Sequence, residues 1–307
     1  MDYERGALAP ARDMLVIKGR RIGVGRPKTV VSLMGDDAAK VYAQANEAMA
    51  QRADCLEWRV DFLAKHVGEA DVARIARELG RITPTTPLIA TIRTEGQGGQ
   101  RAYGEETYLE LCHTLIESGG PDMVDIELDK PADVVRPLVD AAHAHGLHAL
   151  VSHHDFVATP ATDRMVKLLC HMASLGADLP KLAVMARSRA DCFRLMEASA
   201  RTSERLRMPV VAISMGAHGT LSRLAGESCG SALTFCAVGD PSAPGQVELG
   251  QARHAIDQLH AALALQAPMH ATCGKRRRCF ADALPGVPTC ATVWPSVSGR
   301  GEIPHWR

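Results

Sequence analysis

The sequence lacks an excess of charge of either sign, and it lacks long apolar runs. Its 35 lysines and arginines balance its 35 aspartates and glutamates over 307 residues. Proteins that bind nucleic acid through its phosphates present a basic surface, so this balance argues against such a partner. No run of eighteen apolar residues and no charged-then-apolar leader is visible. We therefore expect no membrane span, no secretory signal and a cytoplasmic protein.

The nine cysteines lack the spacing of a structural metal site. Zinc sites of this kind need two closely spaced ligand pairs, and no cysteine pair here is followed by a matching second pair. We therefore expect no metal. Cysteines inside apolar patterns behave as small hydrophobic residues, and five fit that description: Cys55, Cys112, Cys170, Cys192 and Cys236.

Strand-like and helical patterns alternate eight times along the chain. The strand-like runs cover residues 30–34, 55–61, 88–93, 123–128, 149–154, 181–185, 210–215 and 232–238. The helical patterns cover residues 37–52, 70–81, 105–118, 132–145, 162–175, 188–206, 221–227 and 246–265. Thr162 and Ser188 are predicted N-caps, and Gly146 and Gly176 are predicted helix stops. This alternation predicts an α/β fold, a closed parallel (β/α)8 TIM barrel.

An open doubly wound sheet is the alternative fold. Such sheets bind dinucleotides through a glycine-rich turn between the first strand and the first helix. Here that turn reads Gly35-Asp36-Asp37, whose acidic residues would repel phosphate. The alternative is therefore disfavoured.

Three segments define the expected domain organisation. Residues 14–266 would form the barrel domain, and residues 15–26 within it read as a β-hairpin that closes one barrel end. Residues 1–13 would be an N-terminal extension. Residues 267–307 are rich in Pro, Gly, Ser and Thr and are expected to be a disordered tail. Its basic run, Lys275-Arg276-Arg277-Arg278, is expected to be solvated rather than to bind nucleic acid.

Two of the predicted strands carry acidic residues on one face and apolar residues on the other. Alternate side chains of a strand share a face, so Glu57, Arg59 and Asp61 point the same way. Asp125 and Glu127 share a face of the fourth strand in the same manner. A half-solvated surface strand would show this alternation too, but its recurrence favours a polar interior with a function.

Ionisable residues also gather at the predicted C-terminal ends of the strands. Active sites of TIM barrels lie at that end, so these side chains are expected to meet. Their mixed signs indicate internal pairing, because an unpaired buried charge is costly. They are Glu57, Arg59, Asp61, Arg93, Asp125, Glu127, His153, His154, Asp155, Lys181, Arg223 and Asp240.

Lys181 and His154 are the candidate catalytic residues. Lys181 opens the sixth strand among apolar neighbours, and a desolvated amine can attack a ketone to form an imine. An exposed lysine at a strand start is the alternative. His154 shares a strand face with Ser152, and its imidazole could take and return a proton, oriented by Glu127. A structural histidine is the alternative there, while a metal site at His153-His154-Asp155 is disfavoured because neighbouring strand residues face opposite ways.

The ordered motifs at these strand ends resemble the type I 3-dehydroquinate dehydratase family, the Schiff-base dehydratases of the shikimate pathway. The resemblance runs from about residue 14 to residue 266. Each motif alone is weakly specific, but the six occur in order. They are Glu57-Trp58-Arg59-Val60-Asp61, Asp125-Ile126-Glu127-Leu128, Ser152-His153-His154-Asp155-Phe156, Lys181-Leu182-Ala183-Val184-Met185, Ile213-Ser214-Met215-Gly216 with Ser222-Arg223, and Ser231-Ala232-Leu233-Thr234-Phe235 with Ala243-Pro244-Gly245-Gln246.

The resemblance implies a hydro-lyase that converts 3-dehydroquinate to 3-dehydroshikimate and water, without a cofactor or metal, as a homodimer. Lys181 would be the Schiff-base lysine and His154 the general acid and base, with Glu127 as its partner. Arg223 would bind the substrate carboxylate, helped by Ser242 and Gln246 on a closing loop. The implied substrate-binding residues are Glu57, Arg59, Arg93, Asp125, Arg223, Ser242 and Gln246.

One loop departs from the family pattern, and two other functions stay open. The family usually carries a Lys/Glu-containing Gly-Gly loop after the third strand, whereas this chain has Thr94-Glu95-Gly96-Gln97-Gly98-Gly99. Whether Glu95 or Gln97 takes part in the site is therefore undecided. Another lysine-dependent class I aldolase-type barrel is one alternative. Such an enzyme usually has a glycine-rich phosphate-binding site after strands seven and eight, where this chain has Arg223 and a Pro-rich loop. A non-catalytic binding protein on the same barrel is disfavoured by the Lys181–His154 pair.

Overall fold

The computed structural model describes residues 14–64 and 68–266. The predicted N-terminal extension and C-terminal tail lie outside these residues. In the described part of the chain, no helix is both long and apolar enough to cross a membrane.

Eight parallel strands curl into a barrel, which confirms the predicted fold class. The barrel strands are β3 (Lys28–Leu33), β4 (Cys55–Arg59), β5 (Leu88–Thr91), β6 (Met123–Glu127), β7 (His148–Asp155), β8 (Leu179–Met185), β9 (Val211–Met215) and β10 (Leu233–Ala237), with a two-residue β11 (Val247–Glu248) beside β10. Each barrel strand pairs with its neighbour in chain order, and the last, β10, returns to the first, β3. Between β9 and β10 the ring closes through a bridge from Val210 to Ser231, whose hydroxyl also accepts a hydrogen bond from the Ala212 N–H.

The helices surround the barrel. They are α1 (Ala38–Ala50), α2 (Glu69–Ile82), α3 (Glu105–Glu117), α4 (Ala132–Ala144), α5 (Thr162–Ser174), α6 (Arg189–Leu206), α7 (Thr220–Leu224), α8 (Gly226–Cys229) and α9 (Leu249–Gln266). The single helix predicted at 221–227 is two short ones.

The predicted helix ends are mostly correct. Ser188 caps α6 in a capping box with Asp191, and each side chain bonds the other residue's backbone N–H. Gly146 and Gly176 follow α4 and α5 with positive φ angles, as helix stops do. The Thr162 cap is wrong: Ala161 is the N-cap of α5, and the Thr162 hydroxyl bonds Glu197 instead.

The predicted N-terminal hairpin is present and fills the base of the barrel. Strands β1 (Leu15–Ile17) and β2 (Arg20–Ile22) pair antiparallel around a turn at Lys18. Ile17 and Ile22 pack into the interior cluster formed by the lower residues of the barrel strands. The Lys18 amine lies 2.8 Å from Asp122, which ties the hairpin to the start of β6. The base of the barrel is therefore apolar and closed.

Side chains alternate between two cores along each barrel strand. Leu56 and Trp58 of β4 pack outward against the helices, while Cys55 points into the interior. On β8, Leu182 and Val184 pack outward in the same way. Inward positions near the C-terminal ends include the charged residues Glu57 and Lys181, so the upper half of the interior is where a site can form.

Candidate active site

The predicted residues from separate strand ends surround one pocket at the C-terminal mouth of the barrel. Its wall includes most of the candidates, together with residues that were not singled out. The lining residues are Glu57, Arg59, Arg93, Gln97, Gly98, His154, Phe156, Lys181, Ala183, Ile213, Met215, Arg223, Phe235, Ser242, Ala243 and Gln246. Asp125 and Glu127, by contrast, lie behind the wall.

Lys181 projects inward from β8 and is only 3% exposed. Its Nζ donates a hydrogen bond to Asp125 over 3.1 Å and lies 3.7 Å from a carboxylate oxygen of Glu57. The same nitrogen sits 4.3 Å from the centre of the Phe235 ring. The amine is therefore held at one place in the pocket wall by two carboxylates and an aromatic face.

Asp125 supports the pocket from behind. It was expected to bind substrate, but it is fully buried and its oxygens are already engaged. Arg93 donates to it over 2.6 Å and the Ser152 hydroxyl over 2.5 Å, in addition to Lys181. Burial alone would raise its pKa, yet Arg93, Lys181 and Ser152 together hold the pKa of Asp125 below its usual value. Asp125 is thus an ionised counter-charge for Lys181 and Arg93.

Glu127 does not pair with His154, contrary to the expectation from sequence. One carboxylate oxygen accepts from the Thr94 N–H (2.9 Å) and lies 3.2 Å from Arg93, and the other accepts from the Thr94 hydroxyl (2.8 Å). These donors come from the start of the loop after β5. Because they occupy the carboxylate, it anchors that loop instead of orienting the imidazole.

His154 faces the pocket from the end of β7. Its Nδ1 is buried and has no hydrogen-bond partner among the described residues. Burial, together with the nearby cations Arg93 and Lys181, lowers the pKa of His154 well below its ordinary value. The Phe156 ring stacks beside the imidazole, with centroids 6.2 Å apart. The imidazole is therefore neutral at pH 7 and able to accept a proton.

Residues of β3 and β4 form the opposite wall. Glu57 accepts hydrogen bonds from the hydroxyls of Ser32 (2.7 Å) and Thr91 (3.0 Å). Arg59 makes a two-pronged pair with Asp61, at 2.8 and 2.7 Å. Each charged group of this wall is therefore braced by a neighbour. Ser32 was not singled out from sequence, although a small polar residue inside the apolar first strand is a signal that points to it.

Arg223 is a buried cation without a counter-ion among the described residues. It is 2% exposed, and its guanidinium reaches only backbone oxygens, those of Pro244 (2.9 Å) and Phe235 (3.4 Å). Its Nε is buried without a partner in the described part of the chain. Burial lowers the pKa of Arg223 to about 10, so the group stays charged at pH 7. Such a cation at a pocket wall favours an anionic ligand.

The loop between β10 and β11 lies over the pocket. The Ser242 hydroxyl donates to Ser32 of β3, the strand beside β10, over 3.0 Å, and the Gln246 amide bonds both the hydroxyl and the N–H of Ser242 at 2.8 Å. The carbonyl of Pro244 accepts from the N–H of Gly216 as well as from Arg223. The loop is therefore tied to the ends of both strands that flank β10, β3 and β9.

Comparison with known proteins matches this chain to one family. The family model described as type I 3-dehydroquinase matches residues 29–262. A 3-dehydroquinate dehydratase from Listeria monocytogenes is 40% identical over 247 residues, which is 80% of this chain and 98% of that protein. One from Escherichia coli is 39% identical over 249 residues, covering 81% of this chain and 99% of that protein.

Solved structures agree with the sequence comparison. A type I 3-dehydroquinate dehydratase from Clostridium difficile, solved with covalently modified comenic acid, superposes with a TM-score of 0.79 at 34% identity. That match covers 82% of this chain and 99% of the other. A 3-dehydroquinate dehydratase from Geobacillus kaustophilus gives a TM-score of 0.78 at 30% identity, over 81% of this chain and 97% of the other.

Proposed function

This chain belongs to the type I 3-dehydroquinase family, and we propose that Lys181 and His154 convert 3-dehydroquinate to 3-dehydroshikimate and water in the described pocket. The protein is thus a hydro-lyase of the shikimate pathway, and the family works through a lysine Schiff base. One observation carries the assignment of residues. The buried amine of Lys181, the neutral imidazole of His154 and the Arg223 guanidinium, which has no counter-ion in the described part of the chain, line the same pocket.

Lys181 forms the covalent bond. Its amine attacks the ketone carbon of 3-dehydroquinate, and water leaves from the resulting carbinolamine to give an imine. The carboxylates of Asp125 and Glu57, at 3.1 and 3.7 Å from Nζ, supply counter-charges for the protonated imine that follows. The imine withdraws electrons and makes the adjacent C–H more acidic.

His154 moves the protons. The neutral imidazole removes a proton from the carbon beside the imine, which leaves an enamine and an imidazolium. The imidazolium then protonates the hydroxyl one carbon further on, which departs as water and leaves a conjugated double bond. Water finally hydrolyses the imine, releasing 3-dehydroshikimate and restoring the Lys181 amine. The lowered pKa of His154 suits the first step, because the base form dominates at pH 7.

Arg223 recognises the substrate carboxylate. A guanidinium presents two parallel donors to a carboxylate, and this one lacks a protein counter-ion among the described residues. Ser242 and Gln246 reach the same side from the covering loop. Glu57, Arg59 and Arg93 line the rest of the wall and are placed to bind the ring hydroxyls. Asp125 and Glu127 act from behind the wall, through Lys181 and Arg93.

Turnover of purified protein tests this proposal. The parent should convert 3-dehydroquinate to 3-dehydroshikimate, measured by chromatography, and Lys181→Ala should lower kcat by several orders of magnitude. His154→Ala should lower kcat by at least about 10²-fold while still forming the imine. A chelator should leave the parent unaffected. Turnover retained in Lys181→Ala, or lost with the chelator, would contradict the proposal.

We also propose, on the family resemblance alone, that the protein is a cytoplasmic homodimer. Light scattering during gel filtration measures the assembly directly, because the chain has a mass of 32.9 kDa. A dimer would appear at twice that mass, and a peak at the single-chain mass would refute it.

A further inference from the structure

A chain of hydrogen-bonded side chains reaches His154 from outside the predicted catalytic set. The amide oxygen of Gln97 accepts a hydrogen bond from the backbone N–H of His154 over 2.6 Å. The amide nitrogen of Gln97 donates to a carboxylate oxygen of Asp129. The other oxygen of Asp129 lies 2.6 Å from Nδ1 of His153. We call Gln97, Asp129 and His153 the Gln97 clasp.

Gln97 bonds the backbone of His154 at a point where β7 no longer has β6 as its partner strand. Strand β6 pairs with β7 only as far as Glu127 and Ser152, so β6 ends before it reaches His154. On the other side β8 continues, and His154 pairs with Ala183. The Gln97 amide therefore supplies the acceptor that a longer β6 would have supplied, and it fixes the backbone at the base of the catalytic ring.

The loop that carries Gln97 is itself held firmly. Its first residue bonds Glu127 through both its N–H and its hydroxyl, and Gln100 donates its N–H to Asp61 over 3.0 Å. Thr94 and Arg101 form a bridge that closes the loop on itself. Gln97 is 5% exposed in the pocket wall. The loop that carries Gln97 is thus held by Glu127 at one end and by Asp61 at the other.

The same loop also contacts the ring that stacks on His154. Gly98 has a φ of 82°, and a Cβ there would lie 2.3 Å from the Phe156 ring. Phe156 in turn stacks beside the imidazole at an interplanar angle of 16°. The loop therefore constrains His154 through its backbone and through its aromatic neighbour.

The chemistry of the clasp requires an amide at position 97. Asp129 only accepts hydrogen bonds when ionised, so it selects the donor nitrogen of Gln97 and leaves the oxygen for His154. A carboxylate at 97 would still accept from His154 but would face Asp129 without a proton between them. Gln97 and Asp129 are therefore matched to each other.

We propose that Gln97, oriented by Asp129, is a positioning residue that holds His154 for proton transfer beside the imine. The inference rests on the proposed function, in which His154 moves that proton. The clasp touches neither Lys181 nor Arg223, so it should affect the steps after imine formation and not imine formation or substrate binding.

A double-mutant cycle tests the matching. In Gln97→Glu, the donor to Asp129 is lost and two carboxylates oppose each other, so kcat should fall about tenfold or more while KM changes less than about threefold. Asp129→Asn alone should be mild, because the oxygen of the substituted amide still accepts from Gln97. In the double variant, the amide introduced at position 129 donates to the carboxylate introduced at position 97, so kcat should return to within about threefold of Asp129→Asn. Gln100→Glu, which adds the same charge at an exposed site of the same loop, is the control and should match the parent.

Borohydride trapping with 3-dehydroquinate, run on every variant, distinguishes a failure of the role proposed for Gln97 from a failure of the proposed function. The inference predicts that all of them form the reducible adduct and that only kcat follows the cycle. An unchanged kcat in Gln97→Glu, or a double variant no better than Gln97→Glu, would overturn the inference alone. Absence of the adduct in the parent would overturn the proposed function and the inference with it.

Discussion

At the level of single residues, the nucleophile Lys181 and the base His154 lie in opposite electrostatic environments. Lys181 is braced by Asp125 and Glu57, whereas His154 lies near the cations Arg93 and Lys181 and beside the Phe156 ring. The first environment stabilises positive charge on the imine, and the second disfavours positive charge on the resting imidazole. These opposing environments favour Lys181 for the covalent role and His154 for proton transfer.

The protonation state of His154 can be measured directly against another histidine of the same chain. Burial and nearby cations lower the pKa of His154, while the Asp178 carboxylate, 3.7 Å from Nδ1 of His148, raises the pKa of His148. An NMR titration should therefore show His154 protonating below pH 6.5 and His148 above it. A His154 midpoint at or above its ordinary value would mean that the ring is partly charged near neutrality, against the proposed base.

Arg223 should govern substrate binding more than chemistry. Arg223→Lys keeps the charge, but a single ammonium cannot offer two parallel donors or reach both Pro244 and Phe235. We expect KM for 3-dehydroquinate to rise about tenfold or more, with a smaller change in kcat. Steady-state kinetics measures both, and an unchanged KM would remove Arg223 from carboxylate recognition.

At the scale of elements, the loop between β10 and β11 is the part that completes the pocket. Gly245 has a φ of 78°, and a Cβ there would lie 2.6 Å from the carbonyl oxygen of Gly216. Gly239, at the other end of the loop, has a similar φ of 74° but no atom within 4 Å. The two glycines share the backbone requirement and differ only in the close contact.

This difference gives a matched pair of variants for loop closure. Gly245→Ala should lift the loop from Gly216, displace the Pro244 carbonyl that bonds Arg223, and lower kcat/KM about tenfold or more. Gly239→Ala carries the same backbone strain without the clash and should lose much less. Equal losses in the two variants would mean that strain alone, and not seating on Gly216, explains the effect.

Sequence reasoning succeeded for the elements because their signals are local. The alternation of strands and helices predicts the barrel, and the two-residue period of a strand predicts which side chains of β4 and β8 face inward. The partner of Glu127 was not predictable in this way. It is set by Thr94, whose loop is positioned by contacts with residues far away in sequence. Gln97 was left undecided for the same reason.

At the scale of the whole molecule, the barrel interior is divided into an apolar base and a charged mouth. The hairpin closes the base with Ile17 and Ile22, while charged side chains from separate strands meet above. In the wall and directly behind it, the basic residues Arg59, Arg93 and Lys181 each lie within ion-pair distance of an acidic residue. Arg223 pairs with no acidic side chain of residues 14–64 or 68–266, which leaves the mouth suited to one anionic group.

Borohydride reduction in the presence of 3-dehydroquinate, followed by peptide mass mapping, shows whether Lys181 forms a covalent imine with the substrate. We expect a substrate-dependent mass increase on the peptide that contains Lys181, and no such increase in Lys181→Ala. A borohydride-stable adduct on another lysine, or one that persists in Lys181→Ala, would contradict it.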